Sequence, residues 1–340
     1  MTGRTTLFGL VYGVAAFVPL IAAPGPARPS HGLLLVANKG DQAVGVIDPA
    51  TGREVATIKE TGFTTHELAV SPDGRTAFAP VYGNSGVGLP GTDGRTIDVI
   101  DLASRRVVHT IDLGVAARPH CAVFGPKDGL LYVTTELEKS ITIIDPKTLK
   151  IVGQIPTGQP ESHMLAITHD GRRGYTANVG PGTVSVLNMA ARKTLAVIPI
   201  SHKTQRISIS VDDRYAFTSD QTAPRLAVID TTTNKIQQWV TMPGIGYGTA
   251  PTPDGQWLLV CLINANELGV VNLKTMKMER TIDLVPAPQE VVITPDGALA
   301  YVSCDQSRKV AVVNLKTWKV EGYIDAGKSA DGLAWVAGAK

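Results

Sequence analysis

Seven residues able to bind or ligate recur at one place in this chain: His66, His120, His163, Arg206, Tyr247, Gln289 and Asp331. Each stands a few residues ahead of a Pro-Asp-Gly turn or its equivalent, at intervals of 54, 43, 43, 41, 42 and 42 residues. Three consecutive members are histidines. If the repeats are arranged about an axis, His66, His120 and His163 converge. Neutral imidazoles suit Zn, Cu, Fe or Ni, and three protein ligands would leave one position open. Glu67 and Glu161 lie beside them in sequence and suit proton transfer or second-sphere support. Opposite them Arg206 offers forked donors to a carboxylate or phosphate, and Asp331 or Asp220 is an internal partner for it. Tyr247 stands among glycines that allow close backbone approach, and Gln289 and Asp331 add acceptors. A channel mouth merely lined with hydrogen-bonding groups is the competing reading.

A regular repeat must hold these positions. A β-branched run closes on Asp48, Asp101, Asp145, Asn188, Asp230, Asn272 and Asn314, at intervals of 53, 44, 43, 42, 42 and 42. Pro-Asp-Gly variants at Pro72, Lys127, His169, Asp212, Pro253 and Pro295 keep the same register. Each period holds alternating, β-branched segments that read as four short strands, and no window has helical periodicity. Four strands per period, repeated seven times, predict an all-β, seven-bladed propeller with four antiparallel strands per blade. Residues 32–59 hold only three strands, and Leu333 to Val336 is a lone one. Together they complete the last blade and close the ring, which removes an exposed sheet edge.

The first complete repeat is the longest. Its extra residues fall between Tyr82 and Gly94, a Gly-rich stretch joining the second and third strands. That connection is expected on the face where the histidines lie, beside His66, with Asn84 and Ser85 placed to touch a ligand.

Composition narrows the function. Lys+Arg 32 against Asp+Glu 30 gives a net charge of +2, so no electrostatic case exists for nucleic acid as a partner. Arg4, the apolar stretch Leu7 to Ala23 and the small residues after it read as a secretory signal peptide over residues 1–27. Residues 31–340 then form one propeller domain, periplasmic or secreted, with no later segment apolar enough to span a membrane. Cys121, Cys261 and Cys304 are odd in number and far apart, as expected of buried small apolar residues. His109, His169 and His202 read as surface or outer-strand residues. No Cys-x-x-Cys-His, Gly-x-Ser-x-Gly or His-Glu-x-x-His is present.

Segments such as Leu131-Tyr132-Val133-Thr134-Thr135, Tyr175-Thr176-Ala177-Asn178 and Tyr301-Val302-Ser303-Cys304 resemble the Tyr-Val-Thr-Asn motif. Over residues 32–336 the chain is similar to the YVTN-repeat seven-bladed propellers, which include surface-layer and periplasmic members. The wider superfamily implied by this resemblance holds binding scaffolds, lactonases, a lyase and haem-d1 domains, so fold is implied more strongly than function. The expectation is an exported propeller that binds a small ligand or transition metal at one mouth of its channel. Two alternatives stand beside it. One is a metal-assisted hydrolase, lyase or oxidoreductase using the three histidines. The other is an interaction scaffold with a protein partner in the cell envelope.

Overall fold

In the computed structural model, which describes residues 1–3 and 32–338, the repeated segments form seven four-stranded antiparallel sheets. The proposed signal segment lies almost wholly outside the described residues. Blades 1 to 6 are consecutive in sequence. Their innermost strands are Ala69–Val70, Pro119–Phe124, Ser162–Ile167, Ser208–Ile209, Gly246–Pro251 and Pro288–Ile293. Blade 7 is composite. Its innermost strand, Ala330–Val336, pairs antiparallel with Leu33–Asn38, with Leu34 opposite Trp335 and Val36 opposite Leu333. The ring is closed by strands from both ends of the chain, as the strand arithmetic expects.

Both sequence markers have a physical cause. The Asp or Asn that ends each third strand accepts a bond from a backbone N–H two or three residues on, as at Asp48 (Ala50 N, 2.9 Å), Asn188 (Ala191 N, 2.8 Å) and Asn314 (Lys316 N, 2.9 Å). Short polar side chains favour such turns. A register shift between third and fourth strands precedes each of them, as between Val46 and Ile47 or Val312 and Val313. A bulge repeated in every blade strengthens the local twist. The Pro-Asp-Gly turn supplies a left-handed residue: Gly74 has φ 70°, and Asp213 takes the same role with φ 60° where glycine is absent.

Burial runs in layers. Second and third strands such as Leu131–Thr135 and Ser140–Asp145 are buried almost throughout, while outer strands such as Arg53–Lys59 alternate. Apolar faces of neighbouring blades pack together, and the largest cluster joins blades 2, 3 and 4 through residues such as Ile143, Tyr175, Val186 and Ile229. The three cysteines are buried and free, and Cys261 and Cys304 do not pair. Among the described residues no helix is long and apolar enough to cross a membrane.

The insertion is shorter as a loop than the sequence suggests. Strands Thr76–Gly83 and Asp93–Asp101 extend into it, Gly83 pairs with Asp93, and only residues 84–92 remain irregular.

Candidate functional site: the channel mouth

A local device turns each ring residue inward. At five of the seven positions the residue two places earlier is left-handed: Thr64, Arg118, Glu161, Ala287 and Ser329, with φ between 43° and 63°. The innermost strand then starts with a pairing irregularity that skips the ring residue, between Pro119 and Ala122, Ser162 and Met164, Gly246 and Thr249, and Pro288 and Val291. An unpaired residue in a bulge can aim its side chain off the sheet. Neighbouring innermost strands come very close here. A Cβ on Gly332 would lie 2.3 Å from the His66 carbonyl, so only glycine allows the Gly332 N–H to bond that oxygen at 2.8 Å.

The three histidines do meet. Ring centroids of His66 and His120 are 5.1 Å apart, and those of His120 and His163 are 3.5 Å apart. Tyr82, at the end of the second strand of blade 1, stands among them, 4.8 Å from His66 and 5.3 Å from His120. The Tyr82 hydroxyl donates to Glu136 Oε2 at 2.8 Å, and the other Glu136 oxygen meets His163 Nδ1. The Gln205 amide donates to His163 Nε2 at 3.1 Å. This assigns the tautomer: the ring proton of His163 is on Nδ1, facing Glu136. His66 Nδ1 faces Asp331 Oδ2 at 3.6 Å. His120 is 1% exposed, and its Nδ1 has no hydrogen-bond partner.

Convergence here is not chelation. Both nitrogens of His163 are engaged, and its ring lies against that of His120 rather than pointing with it to a common centre. Among the described residues no group of three or more His, Cys, Asp or Glu side chains is placed to hold a metal ion. The three-imidazole ion site expected from register is therefore not formed in this arrangement.

The other half of the mouth is built on Arg206. Its Nη1 bonds both Glu67 and Glu290, and its Nη2 donates to Asp331 Oδ1 at 3.1 Å. The Tyr247 ring centroid lies 4.9 Å from the guanidinium, and Lys39 Nζ meets Asp331 Oδ2 at 3.0 Å. One guanidinium, 3% exposed, thus ties blades 1, 4, 6 and 7 across the channel. Of the two internal partners expected for Arg206, Asp331 is the one found; Asp220 binds Arg225 at 2.9 Å instead.

The halves treat charge differently. Burial pushes His66 down to about 3 against the opposing pull of Asp331, and drives His120 well below the usual imidazole range with His163 and His66 adding to the effect. Both are neutral. Burial raises Glu67 to about 8 even though Arg206 pulls it down, because Glu290 and Asp331 also crowd it, and Glu290 is raised for similar reasons. Asp331 is held below its usual value by Lys39 and Arg206, against burial. Carboxylates packed this closely cannot all ionise, so the cluster keeps a proton near neutrality.

The remaining expected residues play other parts. Glu161 is a left-handed turn residue whose carboxylate rests against Gly88 and Gly180, and no hydrogen bond joins it to the imidazoles. Asn84 closes the loop neck by accepting from Thr92 N at 2.7 Å. Ser85 is buried with its hydroxyl unpartnered. Gln289 is buried in the ring, and its carbonyl is the atom that Gly248 approaches. The loop is fastened over blade 2 rather than at His66: Arg118 Nε donates to Asp93 and its Nη2 to the Leu89 carbonyl, both at 2.6 Å. A cavity of about 330 Å³ opens there between Leu89, Leu137, Lys139 and Glu161. Tyr82, Glu136, Arg118 and Lys39 escaped sequence reasoning. Glu136 alone left a trace, as an acid directly after the buried strand Leu131–Thr135.

Comparison with known proteins gives a family. The model described as "Cytochrome D1 heme domain" matches residues 126–333. That is more than half of the chain, and the chain belongs to this family. Hydrazine synthase from Kuenenia stuttgartiensis is similar in structure, with a TM-score of 0.71 and 15% identity over 88% of this chain and 99% of that one. A functionally unknown protein from Desulfotomaculum acetoxidans DSM 771 gives a TM-score of 0.74 and 14% identity over 90% and 99%. At these identities the likeness is one of fold. No curated protein matches.

Proposed function

We propose that this member of the cytochrome D1 heme domain family binds an iron-centred macrocycle of the haem type across its channel mouth, with His66 as the ligating imidazole. One observation carries the reading. His66 is 19% exposed at the side chain, whereas His120 and His163 are sealed beneath it. Its burial-lowered pKa keeps it neutral, and Asp331 stands behind its Nδ1, the second-sphere arrangement that orients a metal-binding histidine. The donor set fits such a group lying over the mouth. It does not fit one inserted between imidazoles, because His120 and His163 are in contact. A bound haem would supply redox or Lewis-acid chemistry, tuned by its axial ligand and surroundings. Lys39 and Arg206 orient the acidic groups behind His66, while Arg118 holds loop 84–92 over blade 2.

The basic and apolar N-terminal stretch supports export, so we place the site outside the cytoplasm, in line with the YVTN-type motifs. The test is titration of the purified chain with haemin, followed by visible absorption. His66→Ala should weaken binding about tenfold or more, roughly 1.4 kcal/mol, while His109→Ala leaves it unchanged. Equal titrations for wild type and His66→Ala would refute the assignment.

A further inference from the structure

The iron reading uses His66 and leaves unexplained why a phenol is caged directly behind it. Tyr82 has no solvent exposure. Its ring contacts His66 and stands at right angles to His163, 6.3 Å away. Its hydroxyl is bonded to a buried carboxylate, Glu136, which is also bonded to His163. Other tyrosines differ. Tyr132 donates to Asp128 at the distant turn face, and Tyr175 faces Asn234 and a carbonyl.

We propose that Tyr82 is a redox-active tyrosine that gives one electron to an oxidising iron centre at the mouth while its phenolic proton passes to Glu136. The electron donor role rests on the iron reading; the chemistry of the Tyr82–Glu136 pair does not. The O–H bond of Tyr82 breaks, Glu136 Oε2 gains the proton across 2.8 Å, and the oxidant is reduced by one electron. The products are a neutral phenoxyl radical and a neutral carboxylic acid. A later one-electron reductant, small enough or potent enough to act through the mouth, reverses the step and returns the proton.

Electrostatics favours this course over simple acid dissociation. The Tyr82 hydroxyl is buried and donates to Glu136, so losing its proton without oxidation would set a second negative charge beside that carboxylate. Oxidation with proton transfer creates no charge. It changes the pair from −1 to 0, and removing a charge from a dry site is favourable. The pairing Glu136–His163–Gln205 fixes the acceptor in place, because His163 Nδ1–H points at the carboxylate and Gln205 blocks its other nitrogen. Arg118, itself buried, lies 5.9 Å from the ring centre with Asp93 as its own counter-ion.

The experiment uses the full chain without haem, so that it is independent of the iron assignment. The protein is photo-oxidised with tris(bipyridine)ruthenium(III) generated by flash-quench, and radicals are followed by transient absorption and by EPR after freezing. Ring-deuterated tyrosine separates tyrosyl from tryptophanyl signals. The expected result is a tyrosyl signal reduced at least tenfold in Tyr82→Phe and unchanged in Tyr132→Phe. Glu136→Gln, which keeps the shape but cannot take the proton, should cut the yield several-fold while its thermal melt shows a folded protein. An equal tyrosyl yield in Tyr82→Phe, or no tyrosyl signal in wild type, overturns the proposal. Failure of haemin binding with a positive radical result would overturn the iron reading alone.

Discussion

The two halves of the channel mouth occupy one repeat register and are both largely buried, yet they solve burial in opposite ways. On the side of blades 1 to 3, His66 and His120 shed their protons and pack as neutral rings around Tyr82. Across the channel, Arg206 keeps its charge and gathers Glu67, Glu290 and Asp331. A neutral ring needs few partners and leaves spare capacity, visible in the unpartnered Nδ1 of His120. Arg206 also leaves its Nε unpartnered, but its Nη1 and Nη2 are taken up by three carboxylates. The contrast separates a half that can accept a ligand from a half that holds the ring shut.

Removing Arg206 should break the comparison most severely. Arg206→Met leaves three crowded carboxylates without their guanidinium, and loss of one partner from a buried ionic cluster costs about 3–5 kcal/mol. Urea unfolding at neutral pH should show that loss, and adding Glu67→Gln to the variant should recover part of it. A fall below about 1 kcal/mol would show that the cluster is not holding blades 1, 4, 6 and 7 together.

Acid and alkali should then attack different halves. The folded pKa of His66 is lowered from 6.5 to about 3, so the unfolded chain binds more protons in that range. Stability is lost as pH falls from 6.5 toward 3, with His120 acting in the same direction. Glu67 is raised from 4.5 to about 8, so the folded chain binds more protons there, and stability is lost as pH rises through that window. Thermal melts across pH should show both slopes. Glu67→Gln should flatten only the alkaline one, and His66→Gln only the acid one.

Shortening the loop should matter less. Replacing residues 84–92 by a short turn leaves every repeated strand intact and removes the Leu89 carbonyl from Arg118. A change within about 1 kcal/mol is expected by denaturant titration, since loop length is a weak term. The smallest effect belongs to His120→Leu. Its Nδ1 already lacks a partner, and an apolar group of similar size can replace a poorly satisfied polar one at nearly no cost. A loss above about 2 kcal/mol would mean that His120 makes an essential polar contact.

Much of this was legible in the sequence because its markers have local causes. The Asp or Asn after each third strand caps a turn that follows a bulge, and both recur wherever the repeat does. Ring positions were legible because they keep a nearly fixed distance from the Pro-Asp-Gly turn of the same repeat; the left-handed residues such as Arg118 and Ser329 that precede them were not legible. What escaped depends on distance across the channel. Arg206 reaches Glu67, 139 residues away, and only the size of the closed ring decides that meeting. Tyr82 and Glu136 come from the ends of second strands in different blades, outside the register that revealed the histidines. The family emerged from comparison rather than from the Tyr-Val-Thr-Asn segments, because those segments are core strands that many propellers share.

The most direct test of the mouth as an iron site is chemical rescue. In His66→Gly the imidazole is deleted and its space is left open. Haemin added to this variant should give the spectrum of free or weakly held haem, and millimolar imidazole should restore the wild-type absorption. A His66→Gly spectrum identical to wild type without imidazole would contradict the account.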